Sequence, residues 1–350
     1  MIDANPIAGT GVFLLGGVAA ALYLLPFRAV KGWAYESGWL VSVLAGWLLF
    51  PIAFNFVVIP DFLAVITSDG ASTIVRTVSF GALWGIGALC WALMVRYLGV
   101  GLGLAIGAGL CAAAGTLLPP IVTGNASSLI ATLGAKVVLS GVILSLGGIA
   151  LVGMAGRLKE GEMSAEAKAK AVAEYNFKKG LITAIIAGFA SAGINFALQG
   201  AGVWEATALK QGAKAQWAGM PVLTVALWGG LAVQIIYALL QHKKNKSAKD
   251  YFSAKSGGRL LGNYVFSASV GIIGVMQFVM QKVGEPLMGN VRYISFGVLM
   301  ASAIFFSAVV GFFLGEWKGT SKRTRICLGL GLLVLLAAFS IISAGSGISK

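Results

Sequence analysis

The sequence predicts an all-α polytopic membrane protein of ten transmembrane helices, arranged as two inverted five-helix repeats with both termini outside the cytoplasm. Three observations carry this. The 350 residues are 58% hydrophobic and only 11% Asp, Glu, Lys or Arg, whereas a soluble domain carries about 25% charged residues. The apolar residues fall into ten separate runs, each close to the ~20 residues that span a bilayer. Lys and Arg gather in alternate loops, as the positive-inside rule describes.

The runs cover 6–29, 37–60, 73–94, 99–121, 136–155, 179–200, 218–240, 260–281, 291–314 and 325–346. They are continuously apolar rather than alternating, which selects helices over a barrel. Pro26 interrupts the first run near its end. Gly99, Gly101, Gly103, Gly107 and Gly109 thin the fourth, and the Gly103–Gly107 spacing permits close helix contact. Pro119 and Pro120 lack the helix N–H and are expected to end it. Gly124-Asn125 then marks a turn. Cys90, Cys111 and Cys327 lie in apolar runs without metal-ligand or disulfide spacing. The first run has no basic segment before it, so no signal peptide is expected.

The odd-numbered loops hold nineteen Lys and Arg and the remaining segments seven. The formal charge of +14 is therefore read as topology, and nucleic acid is not an expected partner. The longest hydrophilic segment, 157–178, divides the chain into a first repeat, 1–156, and a second, 179–350. Ser164–Glu174 is expected to form a short cytoplasmic helix with Ser164 as its N-cap. Five helices per half invert the second half, a construction common in secondary transporters. Faint internal matches agree. Gly17 and Trp33 match Gly188 and Trp204, and Gly85, Met94 and Arg96 match Gly271, Met280 and Lys282.

Ordered fragments then point to a family. They include Phe80-Gly81-Ala82-Leu83-Trp84-Gly85-Ile86-Gly87, Met94-Val95-Arg96-Tyr97-Leu98-Gly99 and Gly115-Thr116-Leu117-Leu118-Pro119-Pro120-Ile121. Phe177-Lys178-Lys179-Gly180-Leu181, Ser191-Ala192-Gly193, Gln277-Phe278, Tyr293-Ile294-Ser295 and Gly315-Glu316-Trp317 follow. In this order they resemble the L-rhamnose–proton symporter family of the drug/metabolite transporter superfamily. The resemblance implies a ten-helix fold in the bacterial inner membrane and proton-driven uptake of a 6-deoxyhexose. Two segments depart from the family's pattern. Ala88-Leu89-Cys90-Trp91-Ala92 stands where an Asn-containing segment is common, and Val291-Arg292 replaces acidic and aromatic residues.

A neutral, densely hydroxylated sugar requires neutral donors and acceptors together with flat apolar faces. Asn195 and Gln199 share one helical face by spacing, as do Gln277 and Gln281. Ser191 lies one turn before Asn195. Each amide is read either as a substrate contact or as interhelical glue. Tyr23, Trp84 and Trp91 are the aromatic candidates, with core packing as the alternative. Trp33, Trp39 and Trp317 read as interfacial anchors.

For proton coupling Glu36 is the first candidate and a solvated helix-start carboxylate the alternative. Glu205 and Glu285, just beyond the sixth and eighth runs, are further candidates. Arg28 and Arg76 are possible charge partners. Glu316 is expected to pair with Lys318 or Arg325. His242 begins a basic segment, away from the bilayer midplane. No nucleotide loop, metal cluster or cofactor motif is present in the sequence, so no cofactor and no ATPase subunit is expected. The competing readings are another metabolite, an exporter, and an enzyme acting on lipid-linked sugar.

Overall fold

The computed structural model describes residues 4–163, 176–253, 260–315 and 317–348. The helix expected at Ser164–Glu174, and Glu316, lie outside them. The described residues are all-α. In chain order the apolar helical spans are α1 (Pro6–Ala29), α2 (Tyr35–Val58), α3 (Gly70–Trp91), a shorter α4 (Ile106–Val122), α5 (Leu133–Glu162), α6 (Phe177–Lys210), α7 (Met220–Asn245), α8 (Leu260–Gly289), α9 (Val291–Phe313) and α10 (Lys322–Ile348). Among the described residues, nine of these are long and apolar enough to cross a membrane; α4 is the exception. The chain is a multi-pass membrane protein.

The backbone stays helical from Gly70 to Val122, yet α3 and α4 are antiparallel. Met94 lies against both Gly103 and Gly107. In a straight helix Met94 and Gly107 would stand about 20 Å apart, so the chain reverses between them. Pro119 and Pro120 do not end α4. They fall in its last turn, where few hydrogen bonds are lost, and the Thr123 hydroxyl donates to Pro119 O at 2.9 Å. The chain turns at Gly124, whose φ of 78° suits glycine. In α1 the α-helix ends at Leu22, and a 3-10 turn, Leu25–Ala29, follows at Pro26.

Small residues set the packing. α1 lies against α8 and α9, α6 against α3 and α4, and α5 against α10 along their lengths. α2 crosses α8 where Gly46 meets Gly271; a side chain on either would strike the other helix's backbone. α7 crosses α3 in the same manner, through Gly81 against Ala226 and Gly229 against Val78. Without a hydrophobic drive between helices in lipid, such close approach supplies the van der Waals contact that holds them.

The odd-numbered loops share one end of the bundle. There Asn263 bonds Lys31, Asn176 N donates to Tyr97 O, and Ser321 and Thr324 bond Glu162. At the opposite end Gly9 abuts Met288, Ala4 sits by Gly289, and Gly345 abuts Val138. The first and last described helices therefore both reach the end away from the 157–178 connector.

Gly271→Ala is expected to lower the thermal midpoint of the detergent-solubilised protein, because the added methyl meets Ser42 O; overpacking costs about 1–3 kcal/mol. Gly147→Ala, with open space around it, is expected to leave that midpoint unchanged.

Candidate functional site

A cavity of about 1140 Å³ lies among α1 to α9. Its walls include Tyr35 at the start of α2, Lys159 and Glu160 at the end of α5, and Gln241 near the end of α7. It opens at the end that carries the odd-numbered loops. Closed small-molecule pockets measure about 300–1,000 Å³, and this one is larger because it runs to the surface.

An aromatic ladder lines it. Tyr35 stacks on Trp39 with centroids 5.8 Å apart. Trp39 meets Trp47 edge-on at 6.3 Å, Trp47 lies 4.6 Å from Trp84, and Trp84 meets Phe278 edge-on at 5.4 Å. Local backbone chemistry aims these rings. Pro51 has no N–H to offer Trp47 O, and the chain widens to a π-turn over Ala45–Leu49, as such turns often do at functional sites. Behind the ladder, Gln234 accepts from Trp39 Nε1 at 2.9 Å and donates to Gly85 O at 3.0 Å. It fixes α2, α3 and α7 together. Trp91 Nε1 donates to Ser191 Oγ at 2.8 Å on the α3–α6 side. Tyr23, Ser42 and Gln277 also line the cavity.

The other end is closed by a polar cluster. Lys282 Nζ is bonded to Glu205 and lies 2.6 Å from Glu285. Arg292 reaches Glu205 at 3.1 Å. Gln281 Nε2 donates to Asn195 Oδ1 at 3.0 Å, Glu285 Oε1 at 3.1 Å and Ser295 Oγ at 3.2 Å. Ser295 Oγ donates to Glu285 Oε1 at 2.9 Å. Asn195 donates in turn to Gly115 O. That carbonyl is available because Pro119, four residues on, has no N–H to bond it. Two cations and two carboxylates balance, as burial of charge requires.

At the open end Glu36 is buried. It accepts from Asn245 Nδ2 at 2.9 Å and Ser247 Oγ at 2.5 Å. Ser247 Oγ is 2.7 Å from His242 Nδ1, and Tyr251 Oη is 2.7 Å from His242 Nε2. Burial pushes the Tyr251 hydroxyl up to about 12, so it remains protonated at neutral pH. Asp250 accepts from Ala34 N and Ser37 Oγ, each at 2.8 Å.

The predicted residues therefore separate. Tyr23, Trp84, Trp91, Ser191 and Gln277 line the cavity; Asn195 and Gln281 stand beyond its closed side, bonded to each other rather than to their sequence-spaced companions. Gln199 is exposed and lies off the cavity, near the end of the helical segment Gly193–Gly200 that it shares with Asn195. Glu205 and Glu285 meet at Lys282, which the sequence reading used only as a repeat match. Arg28 is exposed in the 3-10 turn that ends α1. The Arg76 guanidinium donates to Gly200 O, satisfying a carbonyl at a break in α6. Trp39 is a cavity residue rather than an interfacial anchor, because its position on α2 faces the bundle. Trp317 is buried under Lys159, 4.8 Å from its ring centroid, and Trp33 packs on Tyr264 at 4.9 Å. His242, at the start of its basic segment, is buried. The sequence signal for Trp39 and Trp47 was their spacing with Tyr35 and Val43 along one face of α2. Among the described residues no group of three or more His, Cys, Asp or Glu could hold a metal ion.

Residues 3–348 match the family described as L-rhamnose-proton symport protein (RhaT). The chain belongs to the L-rhamnose-proton symport family. It is 33% identical over 341 residues to the L-rhamnose-proton symporter of Escherichia coli, covering 96% of this chain and 97% of that protein. It is 34% identical over 341 residues, with the same coverage, to the L-rhamnose-proton symporter of Citrobacter koseri. Membership in the L-rhamnose-proton symport family makes the chain a transporter and not an enzyme.

Asn195→Ala is expected to destabilise the protein by about 1–3 kcal/mol, because Gly115 O and Gln281 each lose a buried partner. Gln199→Ala, at an exposed position, is expected to stay within about 0.5 kcal/mol. Thermal unfolding in detergent, followed by tryptophan emission, measures both.

Proposed function

We propose that the protein imports a 6-deoxyhexose, L-rhamnose first, together with protons, by alternating access in the bacterial inner membrane. The observation that carries this is one cavity, lined by an aromatic ladder and closed at a single end by a polar cluster. Aromatic faces suit the C–H side of a sugar ring, while Gln277, Ser42, Ser191 and Tyr23 offer neutral donors and acceptors to its hydroxyls. The named activity of the curated relatives agrees.

Orientation follows from charge. The odd-numbered loops carry most of the Lys and Arg, which places them in the cytoplasm and both termini outside. On that orientation the cavity faces inward. Ten spans in two inverted repeats, 1–156 and 179–350 joined by 157–178, are supported by the packing. Gly17 of α1 abuts Ser302 of α9, and its match Gly188 of α6 abuts Leu110 of α4. Gly271 joins α8 to α2, and its match Gly85 joins α3 to α7. The α1–α9 contact thus corresponds to the α6–α4 contact, and the α8–α2 contact to α3–α7, as repeated halves lead one to expect.

Glu36 is the proposed inner proton carrier, and Glu205 and Glu285 the outer candidates. Protonating Glu36 would weaken its hold on Asn245 and Ser247 and loosen α2 from α7. A related sugar in place of L-rhamnose is favoured by one observation: Ala88, Leu89 and Trp91, in a segment that departs from the family's pattern, line the cavity.

Reconstituted vesicles with an inside-alkaline pH gradient are expected to accumulate labelled L-rhamnose above fucose, xylose and glucose. Equal uptake of all four, or none, would remove the assignment. Trp84→Ala is expected to raise the half-saturating concentration roughly tenfold, a loss of about 1.4 kcal/mol. Glu36→Gln is expected to abolish gradient-driven accumulation while counterflow persists; unchanged accumulation would relieve Glu36 of its role.

A further inference from the structure

The cluster at the closed end holds two kinds of ion pair. Lys282 and Glu285 belong to the same helix, three residues apart. Lys282 and Glu205 join different helices, α8 and α6. Of these pairs only the second resists separation of the two helices, and Lys282 Nζ also donates to Leu198 O of α6 at 3.4 Å. The same separation also has to break the Gln281–Asn195 bond. It would part α4 from α9 as well, where Thr116 presses on Gly297 and Gly115 on Phe296.

The two carboxylates differ in access. The Glu285 side chain is 4% exposed and that of Glu205 17%, beside an Arg292 side chain that is 47% exposed. Glu205 is therefore the member that the outer solution reaches. Its charged neighbours are Lys282 and Arg292. Uncharged Gly219, just before α7, lies beside both Glu205 and Lys282, and Arg76 of α3 is engaged at Gly200 O.

We infer that Lys282 is the latch of the outer gate, and that uptake of a proton by Glu205 from the outer side releases it. The inference rests on the alternating-access reading and adds to it which residue opens the pathway. The proton adds to a Glu205 carboxylate oxygen and removes that residue's negative charge. Lys282 then keeps one counterion, Glu285, on its own helix, so its charge stays paired when α6 leaves. Arg292, its side chain 47% exposed, keeps Glu285 at 4.0 Å. Had Glu285 taken the proton instead, the α6–α8 link would remain. The asymmetry makes neutralisation of Glu205 the cheap way to open this end. Loss of the proton restores the pair and closes it.

The test reads the gate without reading transport. Cys90, Cys111 and Cys327 are replaced by Ser, and Thr116→Cys is added as a reporter, since Thr116 is fully buried between α4 and α9. Leu198→Cys, beside Lys282, serves as a second reporter should the first fold poorly. A membrane-impermeant thiol reagent is applied outside right-side-out vesicles, with rates normalised to Ile121→Cys, an exposed position near the end of α4. Normalised labelling is expected to rise several-fold as external pH falls. Glu205→Gln is expected to hold it at the high level at every pH, and Glu205→Asp to preserve the response. Labelling that ignores pH, or that Glu205→Gln leaves unchanged, overturns the latch. If labelling responds but a pH gradient drives no sugar uptake, the symport reading fails and the latch stands.

Discussion

Close backbone approach at glycine is the constraint on which this architecture depends. In a bilayer, helices gain little from burying apolar surface against one another. What selects one arrangement is where two backbones fit. Gly46 with Gly271, and Gly81 and Gly229 with the facing helix, fix the two crossings that flank the cavity. Trp47 and Trp84, each one residue from a crossing glycine, are brought within 4.6 Å of one another between those crossings. Between them the wall can be lined by large rings, because the load of helix contact is carried elsewhere.

The two ends of the bundle are built on different chemistry. Around the open mouth, hydrogen bonds from neutral groups tie α2 to the end of α7: Asn245 and Ser247 on Glu36, with His242 behind. At the closed end, full charges meet between α6 and α8. Neutral bonds exchange readily with water when a mouth is wet. Charges in a dry contact do not, and their separation waits on a change of protonation or of hydration. Ionisable groups inside a membrane protein are costly, and such groups mark candidate functional sites by default.

Much of this was legible in the sequence. Apolar runs mark the helices because the bilayer fixes their length. The fourth helix was legible only in outline, since glycine dilutes hydropathy and Pro119 marked an end that the helix overruns. Tyr23, Trp84, Trp91, Ser191 and Gln277 reach the cavity as the residue types suggested. Gln199 does not: it keeps its helical spacing from Asn195 but sits at the exposed end of that segment, and spacing along a helix says nothing of how deep each turn lies. Trp39 looked like an anchor because its run had just begun; which way a ring faces depends on neighbours that are distant in sequence. The partnership of Lys282 with Glu205 spans 77 positions, and no local pattern announces it.

Pro119 does its work by subtraction. By withholding one N–H it leaves Gly115 O open to Asn195, on a helix 80 residues away. The two positions thus share a single evolutionary fate. An ordinary residue at 119 would return the carbonyl to its own helix and strand the amide, while an apolar residue at 195 would make the proline pointless. Sequences of this lineage are expected to gain or lose the two together, a covariation caused by a bond that one helix declines to make.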